Sequence, residues 1–233
     1  MTSIDNPIIS IKNISLTIEK KIIFKNLSLD INAKGITVIF GPNGSGKTLL
    51  TKIIVGMQKI QKGTIKYKKK KINIGYAPQK IVFLRRSVFD NLAYPMKIFG
   101  FNGAEIKKKI DFFINQFGIG EIKKKSARTL SGGTSQFVSF VRSIVNEPDI
   151  LILDEPCSNL DNDFKKKIEK YIKDQKFKRK IILITHDLFQ AQRLGDEIIL
   201  LEEGKVINKF PKEKLVNLNA SKIKEYLNKN YFN

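Results

Sequence analysis

A chain of 233 residues is long enough to bury one substantial core, and none of its apolar runs reaches the roughly 20 residues that a membrane-spanning helix requires. The formal charge of +21 invites a nucleic-acid partner, yet lysine outnumbers arginine about six to one, and the lysine runs at 68–71, 107–109, 123–125 and 165–167 are scattered over turns and helix faces. This pattern reads as a solvated surface with some attraction to anionic lipid and argues against specific nucleic-acid recognition, while the single cysteine, Cys157, rules out an internal disulfide and fits a reducing cytosol.

The first residues, 1–7, lack the apolar stretch of a signal peptide. Residues 8–13, 15–19, 22–24 and 27–31 read as four short strands of an antiparallel element. The apolar run Ile36-Thr37-Val38-Ile39-Phe40 then leads into Gly41-Pro42-Asn43-Gly44-Ser45-Gly46-Lys47-Thr48, and Leu49-Leu50-Thr51-Lys52-Ile53-Ile54 follows. Strand, glycine-rich loop and helix in that order form the setting of a phosphate-binding loop. Its glycines let backbone N–H groups turn inward on phosphates, and the helix N-terminus adds a favourable dipole. Lys47 reaches the β and γ phosphates, and the Thr48 hydroxyl suits Mg²⁺.

Longer periodic stretches at 88–99, 104–117 and 132–145 predict helices. The next run, Ile150-Leu151-Ile152-Leu153, is continuously apolar, as a parallel strand buried on both faces is, and it delivers Asp154 and Glu155 at its carboxyl end. Two carboxylates there divide the work: Asp154 binds Mg²⁺ directly or through water, and Glu155 orients or deprotonates an attacking water. A second apolar run, Ile181-Ile182-Leu183-Ile184, places Thr185-His186-Asp187 at another strand end, His186 being the sole histidine. Residues 211–233 read as a short helical tail with apolar positions Leu215, Leu218, Ile223, Tyr226 and Leu227. Cys157, beside the acidic pair, reads as a small packed residue rather than a nucleophile.

Between the phosphate loop and Asp154-Glu155 stands Leu130-Ser131-Gly132-Gly133. With that order of motifs the chain resembles the ATP-binding cassette (ABC) ATPases. The resemblance implies an α/β fold: a P-loop NTPase (RecA-like) core, an antiparallel β subdomain and an inserted α-helical subdomain. One domain would span 1–233, with the core at about 1–79 and 146–210, the helical subdomain at about 80–145 and the tail at about 211–233. No regulatory barrel of the kind some import ATPases carry is expected.

By the same resemblance, ATP and Mg²⁺ are the cofactors and Gln79, in Tyr76-Ala77-Pro78-Gln79, senses the metal. Ser158-Asn159-Leu160-Asp161 crosses a dimer interface with Asp161 as its acid, and His186 contacts the γ phosphate. Ser131, Gly132 and Gly133 close over the ATP of a second copy, so hydrolysis takes a head-to-tail pair with two equivalent composite sites. Ile18 occupies the position where the family commonly stacks an aromatic ring on adenine, with Phe24 as the nearest alternative aromatic. Thr134 and Phe137 depart from the usual Gln and Arg of the signature.

The implied function is ATP hydrolysis that drives solute import through a separate membrane permease, at the cytoplasmic face of the membrane, with an extracytoplasmic solute-binding protein as an indirect partner. Phe83, Leu84 and Val88, in the run after Gln79, would line the groove for a permease helix. The string Leu84-Arg85-Arg86-Ser87-Val88 with Asp90-Asn91-Leu92-Ala93-Tyr94-Pro95 is similar to import ATPases for oxyanions such as tungstate or molybdate. The same motifs also fit an exporter, a lipoprotein-release or cell-division ATPase, or a soluble cassette protein.

Overall fold

The breaks expected after residues 13 and 24 are not turns in the computed structural model. The four short strands are two long ones, β1 (Ile9–Ile18) and β2 (Lys21–Ile31), paired antiparallel. Asn13 and Asn26 adopt φ of 50° and 55° where the register of the pair shifts. Their N–H groups donate to Ser28 Oγ at 2.9 Å and Ser15 Oγ at 3.1 Å. Asparagine tolerates left-handed backbone better than most residues, so a bulge carries the same sequence signature as a turn. A strand unanticipated from the sequence, β4 (Lys62–Tyr67), pairs with the other edge of β1 to complete the sheet β2-β1-β4.

The structure describes residues 7–158, 160–216, 225 and 228. Within them, a second sheet runs in the order β5 (Ile74–Ala77), β6 (Ile150–Asp154), β7 (Lys180–Ile184), β3 (Ile36–Phe40), β8 (Glu197–Glu202) and β9 (Lys205–Pro211). The first five strands are parallel and β9 is an antiparallel edge. The runs Ile150 to Leu153 and Ile181 to Ile184 have no exposed surface, because layers cover both faces of the sheet. Each such side chain contributes about 1.5–3 kcal/mol by leaving water, and their even hydrophobicity fixes the strands without marking any face as functional.

Helices α2 (Val88–Ile98), α3 (Gly103–Phe117) and α4 (Gly132–Ile144) lie between β5 and β6 in the chain; α1 (Lys47–Ile54) runs from β3 towards β4 of the other sheet, and α5 (Asn162–Gln175) and α6 (Leu188–Leu194) join β6 to β7 and β7 to β8. Asn102 and Glu105 cap α3 reciprocally. An aromatic cluster joins α3, α4 and α5: Phe137 stacks on Phe164 at 4.2 Å and meets Phe117 edge-on at 5.4 Å, while Phe140 meets Tyr171 at 5.5 Å. The charge absent at Phe137 is thereby explained, since the ring is fully buried in this cluster. A short helix, α7 (Glu213–Val216), begins the tail. The tail positions Leu218, Ile223, Tyr226 and Leu227, the Leu215 side chain and Asn159 lie outside the described residues.

Candidate functional site

The carboxyl ends of β3, β6 and β7 bring the sequence-selected residues toward one edge of the parallel sheet. After β3 the loop Gly41 to Gly46 turns into α1, with Gly46 as its left-handed N-cap at φ 101°. A Cβ on Gly46 would stand 2.9 Å from the Phe24 ring. Phe24 is therefore a buried support beneath the loop, 1% exposed, and not the base-stacking alternative expected from the sequence.

Lys47 folds back over the loop, donating to the carbonyls of Gly41 at 2.9 Å and Pro42 at 2.8 Å. Burial pushes its amine below the usual lysine range, against the pull of Glu155 and Asp154. The Asp154 carboxyl is 1% exposed, and neither of its oxygens has a hydrogen-bond partner of ordinary geometry among the described residues. Burial raises its pKa and neighbouring Glu155 adds to the rise, while the nearby Thr48 hydroxyl and Lys47 oppose it. Buried polar atoms without partners are rare in folded proteins. Ser45 Oγ is in the same condition, the Tyr76 hydroxyl lies beside Asp154 and Thr51, and among the described residues Ser139, Gln175 and Arg179 each have one such atom away from the site.

Glu155 is the hub of the second group. Its Oε2 accepts from Gln79 Nε2 at 3.0 Å, and its Oε1 lies 3.1 Å from His186 Nδ1. Three loops remote in sequence thus meet on one carboxylate. The residue sits at φ 50°, a conformation that costs a non-glycine residue about 1–3 kcal/mol. Two backbone contacts hold it there: its N–H donates to Ile184 O at 2.9 Å, and its carbonyl accepts from Gln136 Nε2 at 2.5 Å.

Gln136 is the residue that sequence reasoning passed over. It is buried on α4, five positions after Ser131, and also donates to Ser158 Oγ at 3.1 Å. No local signal marked it: Ser139 and Ser143 are buried polar residues of the same helix, and Gln136 stands out only once its partners are known. Beside these groups, a cavity of about 150 Å³ is lined by Glu155, Cys157, Ser158, Lys165, Thr185, His186, Asp187 and Gln190. Burial pushes the Cys157 thiol up to about 11, so it is no nucleophile at neutral pH.

The remaining residues stand apart. Ser131 caps α4 through its hydroxyl, which accepts from Thr134 N at 3.3 Å and donates to Thr134 Oγ1 at 2.9 Å. Ser131 and Gly132 are exposed, and a Cβ on Gly132 would meet nothing in its own chain. Asp161 caps α5, accepting from Phe164 N at 2.9 Å. Ile18 ends β1 with 37% of its surface exposed. Of the expected groove residues, Leu84 is exposed and Phe83 is half-buried under Arg142, but Val88 is fully buried in the helical core and lines no surface. Val82, Tyr94, Ile98 and Phe99 are the exposed apolar side chains of this region.

The family described as ABC transporter matches residues 24–158. The chain is 40% identical over 186 residues to the tungstate uptake system ATP-binding protein TupC of Peptoclostridium acidaminophilum, covering 77% of this chain and 87% of the relative. It is 34% identical over 212 residues to the molybdate/tungstate import ATP-binding protein WtpC of Methanocaldococcus jannaschii, covering 87% and 71%. Several further import ATP-binding relatives are longer, the chain spanning 56% to 63% of their lengths. Among solved structures, a dimeric post-hydrolysis ATP-binding cassette bound to ADP and Pi superposes with a TM-score of 0.79 at 25% identity, covering 88% of this chain and 98% of that one.

Proposed function

Because the chain belongs to the ABC transporter family and carries its ATPase domain, we propose that it energises solute import through a separate membrane permease, with tungstate or a similar oxyanion as the cargo. The observation that carries the ATPase chemistry is the Glu155 carboxylate, bridged by Gln79 and His186 at the end of β6. The cargo assignment is supported by the two oxyanion-importer relatives.

In this reading Gly41, Pro42, Asn43, Gly44, Ser45, Gly46, Lys47 and Thr48 hold the phosphates of ATP, with Lys47 exchanging its two carbonyl acceptors for phosphate oxygens. The donor set fits Mg²⁺. A buried carboxylate beside a threonine hydroxyl supplies the few hard oxygen ligands that this ion takes alongside phosphate and water. Thr48 and Asp154 would hold it with Gln79 at its edge, and the ion would neutralise charge on the phosphates. Glu155 takes the proton of the attacking water, and Gln79 and His186 fix the direction from which it does so. His186, whose side chain is 61% exposed, is free to reach a γ phosphate.

Ser131, Gly132 and Gly133 serve a second copy of the chain, with Asp161 beside the interface. The open space at Gly132 supports this: nothing in its own chain requires a glycine there. Val82, Leu84, Tyr94, Ile98 and Phe99 form the surface for the permease, which keeps the ATPase at the cytoplasmic face, with a solute-binding protein acting on the permease from the other side. Among the described residues no helix is long and apolar enough to cross a membrane, so the solute path belongs to that permease. The chain is organised as a single cassette domain, with 80–145 as its helical part.

The test combines association with coupling. ATP added to Glu155→Gln should yield a dimer by sedimentation, and a further Ser131→Arg should return it to monomer by placing bulk and charge against the partner's nucleotide. Reconstituted with its permease, the wild type should hydrolyse ATP faster when tungstate uptake is under way. An unchanged monomer in both variants would count against the paired site, and tungstate-independent turnover would count against the cargo.

A further inference from the structure

Gly204 lies at the tip of the β8–β9 hairpin with φ 72°, directly after Glu203 at φ 43°. Its N–H donates to the carbonyl of Ser45, inside the glycine-rich loop, at 3.1 Å. A Cβ at this position would stand 1.7 Å from the Ile23 carbonyl of β2 and 3.3 Å from the Phe24 ring. Backbone cannot yield that distance, so only glycine closes the hairpin this tightly on the loop. The hairpin also presses on the start of the loop, where a Cβ on Gly41 would meet the Leu201 carbonyl at 2.0 Å. Beneath lies Phe24, the ring that also supports Gly46.

Two elements therefore converge on the peptide between Ser45 and Gly46: the β8–β9 hairpin through Gly204 and β2 through Phe24. That peptide is trans and planar, so its C=O and N–H point in opposite directions. Tying the Ser45 carbonyl to the hairpin turns the Gly46 N–H to the opposite face. The Ser45 hydroxyl is buried and makes no hydrogen bond among the described residues, so the side chain offers the loop no substitute tether.

We propose that Gly204 is a positioning residue for phosphate recognition: its N–H holds the Ser45 carbonyl so that the Gly46 N–H is aimed at a nucleotide phosphate before the nucleotide arrives. The inference rests on reading 41–48 as the phosphate loop. Preorganisation of this kind raises affinity by removing the need to order the loop on binding. Without the tether the peptide rotates between two orientations, and affinity falls with the fraction of time spent in the wrong one.

The decisive variant replaces the amide between Glu203 and Gly204 with an ester in the full-length chain, which deletes the N–H and adds no side chain. Gly204→Ala is the companion, whose added Cβ also forces the hairpin off the loop. Dissociation constants for ADP and for adenosine, which lacks phosphate, are measured together with the thermal midpoint of the nucleotide-free protein. We expect the ester to weaken ADP about three- to tenfold, the size of one lost hydrogen bond, while leaving adenosine binding unchanged. Gly204→Ala should weaken ADP further. An ester protein that binds ADP within twofold of wild type would overturn the proposal. So would equal weakening of ADP and adenosine, which is the mark of a merely structural role. A wild type with no preference for ADP over adenosine would show instead that the phosphate-loop reading itself had failed.

Discussion

Both ends of the parallel sheet carry charged side chains, but they hold them differently. At the amino ends, Glu197 accepts from Asn32 at 3.2 Å and Thr37 at 3.0 Å and pairs with Lys209 at 3.0 Å, while buried Lys180 donates to the Lys34 carbonyl at 3.0 Å. Asp196 pairs with Lys176 at 2.9 Å and accepts from Ile36 N at the same distance. At the carboxyl ends, the buried Asp154 carboxyl has the Thr48 and Tyr76 hydroxyls and the Lys47 amine beside it. Ser45 Oγ has no partner among the described residues, and Glu155 is held in a left-handed conformation. Among the described residues the amino ends hold one comparable group, Arg179 Nε beside Lys180. Folding alone favours the first arrangement, because an unpaired buried polar group costs about 1–3 kcal/mol. What sets the carboxyl end apart is the strained Glu155 beside a buried Asp154 and the glycine-rich loop, a local departure from folding rules of the kind that functional sites show.

Substitution at the carboxyl end should therefore damage turnover and spare the fold. Glu155→Gln keeps the hydrogen bond to Gln79 possible but removes the base, and turnover should drop by about 10²–10⁴ while ATP affinity and the thermal midpoint stay close to wild type. Steady-state hydrolysis, nucleotide titration and thermal melting check the three parts. A variant whose midpoint fell sharply would show that the carboxyl end is structural after all, and the contrast with the amino end would collapse.

The amino end should show the converse, and pH makes it visible. Burial lowers the Lys180 amine from its usual value to about 8, against the pull of Glu197. An ammonium disfavoured in the fold is a penalty that is fully present below pH 8, and between pH 8 and about 10.5 the unfolded chain holds more protons than the folded one. Stability attributable to Lys180 should thus rise with pH through that window, by roughly 3 kcal/mol. Subtracting the profile of Lys180→Met isolates this contribution from the general loss of surface charge. Identical slopes in the two proteins would mean that Lys180 is not destabilised by its burial.

A smaller effect of the same kind is expected at Glu197. Replacing it with alanine removes the side-chain partner of Thr37 and Asn32 and leaves Lys209 with the Asp30 carbonyl alone, and should cost about 2 kcal/mol of unfolding free energy. Hydrolysis per folded molecule should be unchanged, since among the described residues no hydrogen bond or ion pair joins Glu197 to the Glu155 group. Loss of activity at full folding would mean that the two ends communicate through the sheet.

Much of the carboxyl end was legible because its residues are tied to local patterns. The glycine spacing of 41–48 and the apolar runs before Asp154 and Thr185 are read within a few positions, and helices α2, α3 and α4 follow from their periodicity. What escaped the sequence depends on pairing between distant segments. Lys62–Tyr67 alternates too few apolar side chains to announce a strand until β1 offers it an edge. Glu203-Gly204 looks like any hairpin turn, and nothing local shows that it closes on Ser45. Val88 is an apolar residue next to exposed ones, and only the packing of α2 against α4 decides that it is core. Lys180 lies in a chain crowded with surface lysines, and its burial is a property of the sheet that covers it.

The smallest effect concerns the base of the nucleotide, which neither end of the sheet reads. Ile18 stands where β1 meets the turn at Glu19 and Lys20, with φ of 48° and 65°, and Ile22 flanks the turn on β2 with 62% of its surface exposed. On the expectation that the base lies on Ile18, the side chain would pack on a purine through dispersion but offer no π face and no polar group to distinguish the amino group of adenine from the carbonyl of guanine. Aromatic stacking in nucleic-acid sites is worth about 1–3 kcal/mol per base, so affinity for ATP should be modest and its advantage over GTP less than about fivefold. Competition between the two nucleotides measures the preference directly, and Ile18→Tyr should tighten both by a similar factor. If the wild type instead favoured ATP strongly, another side chain would have to supply the contact; Phe24, buried beneath Gly46, is not available for it.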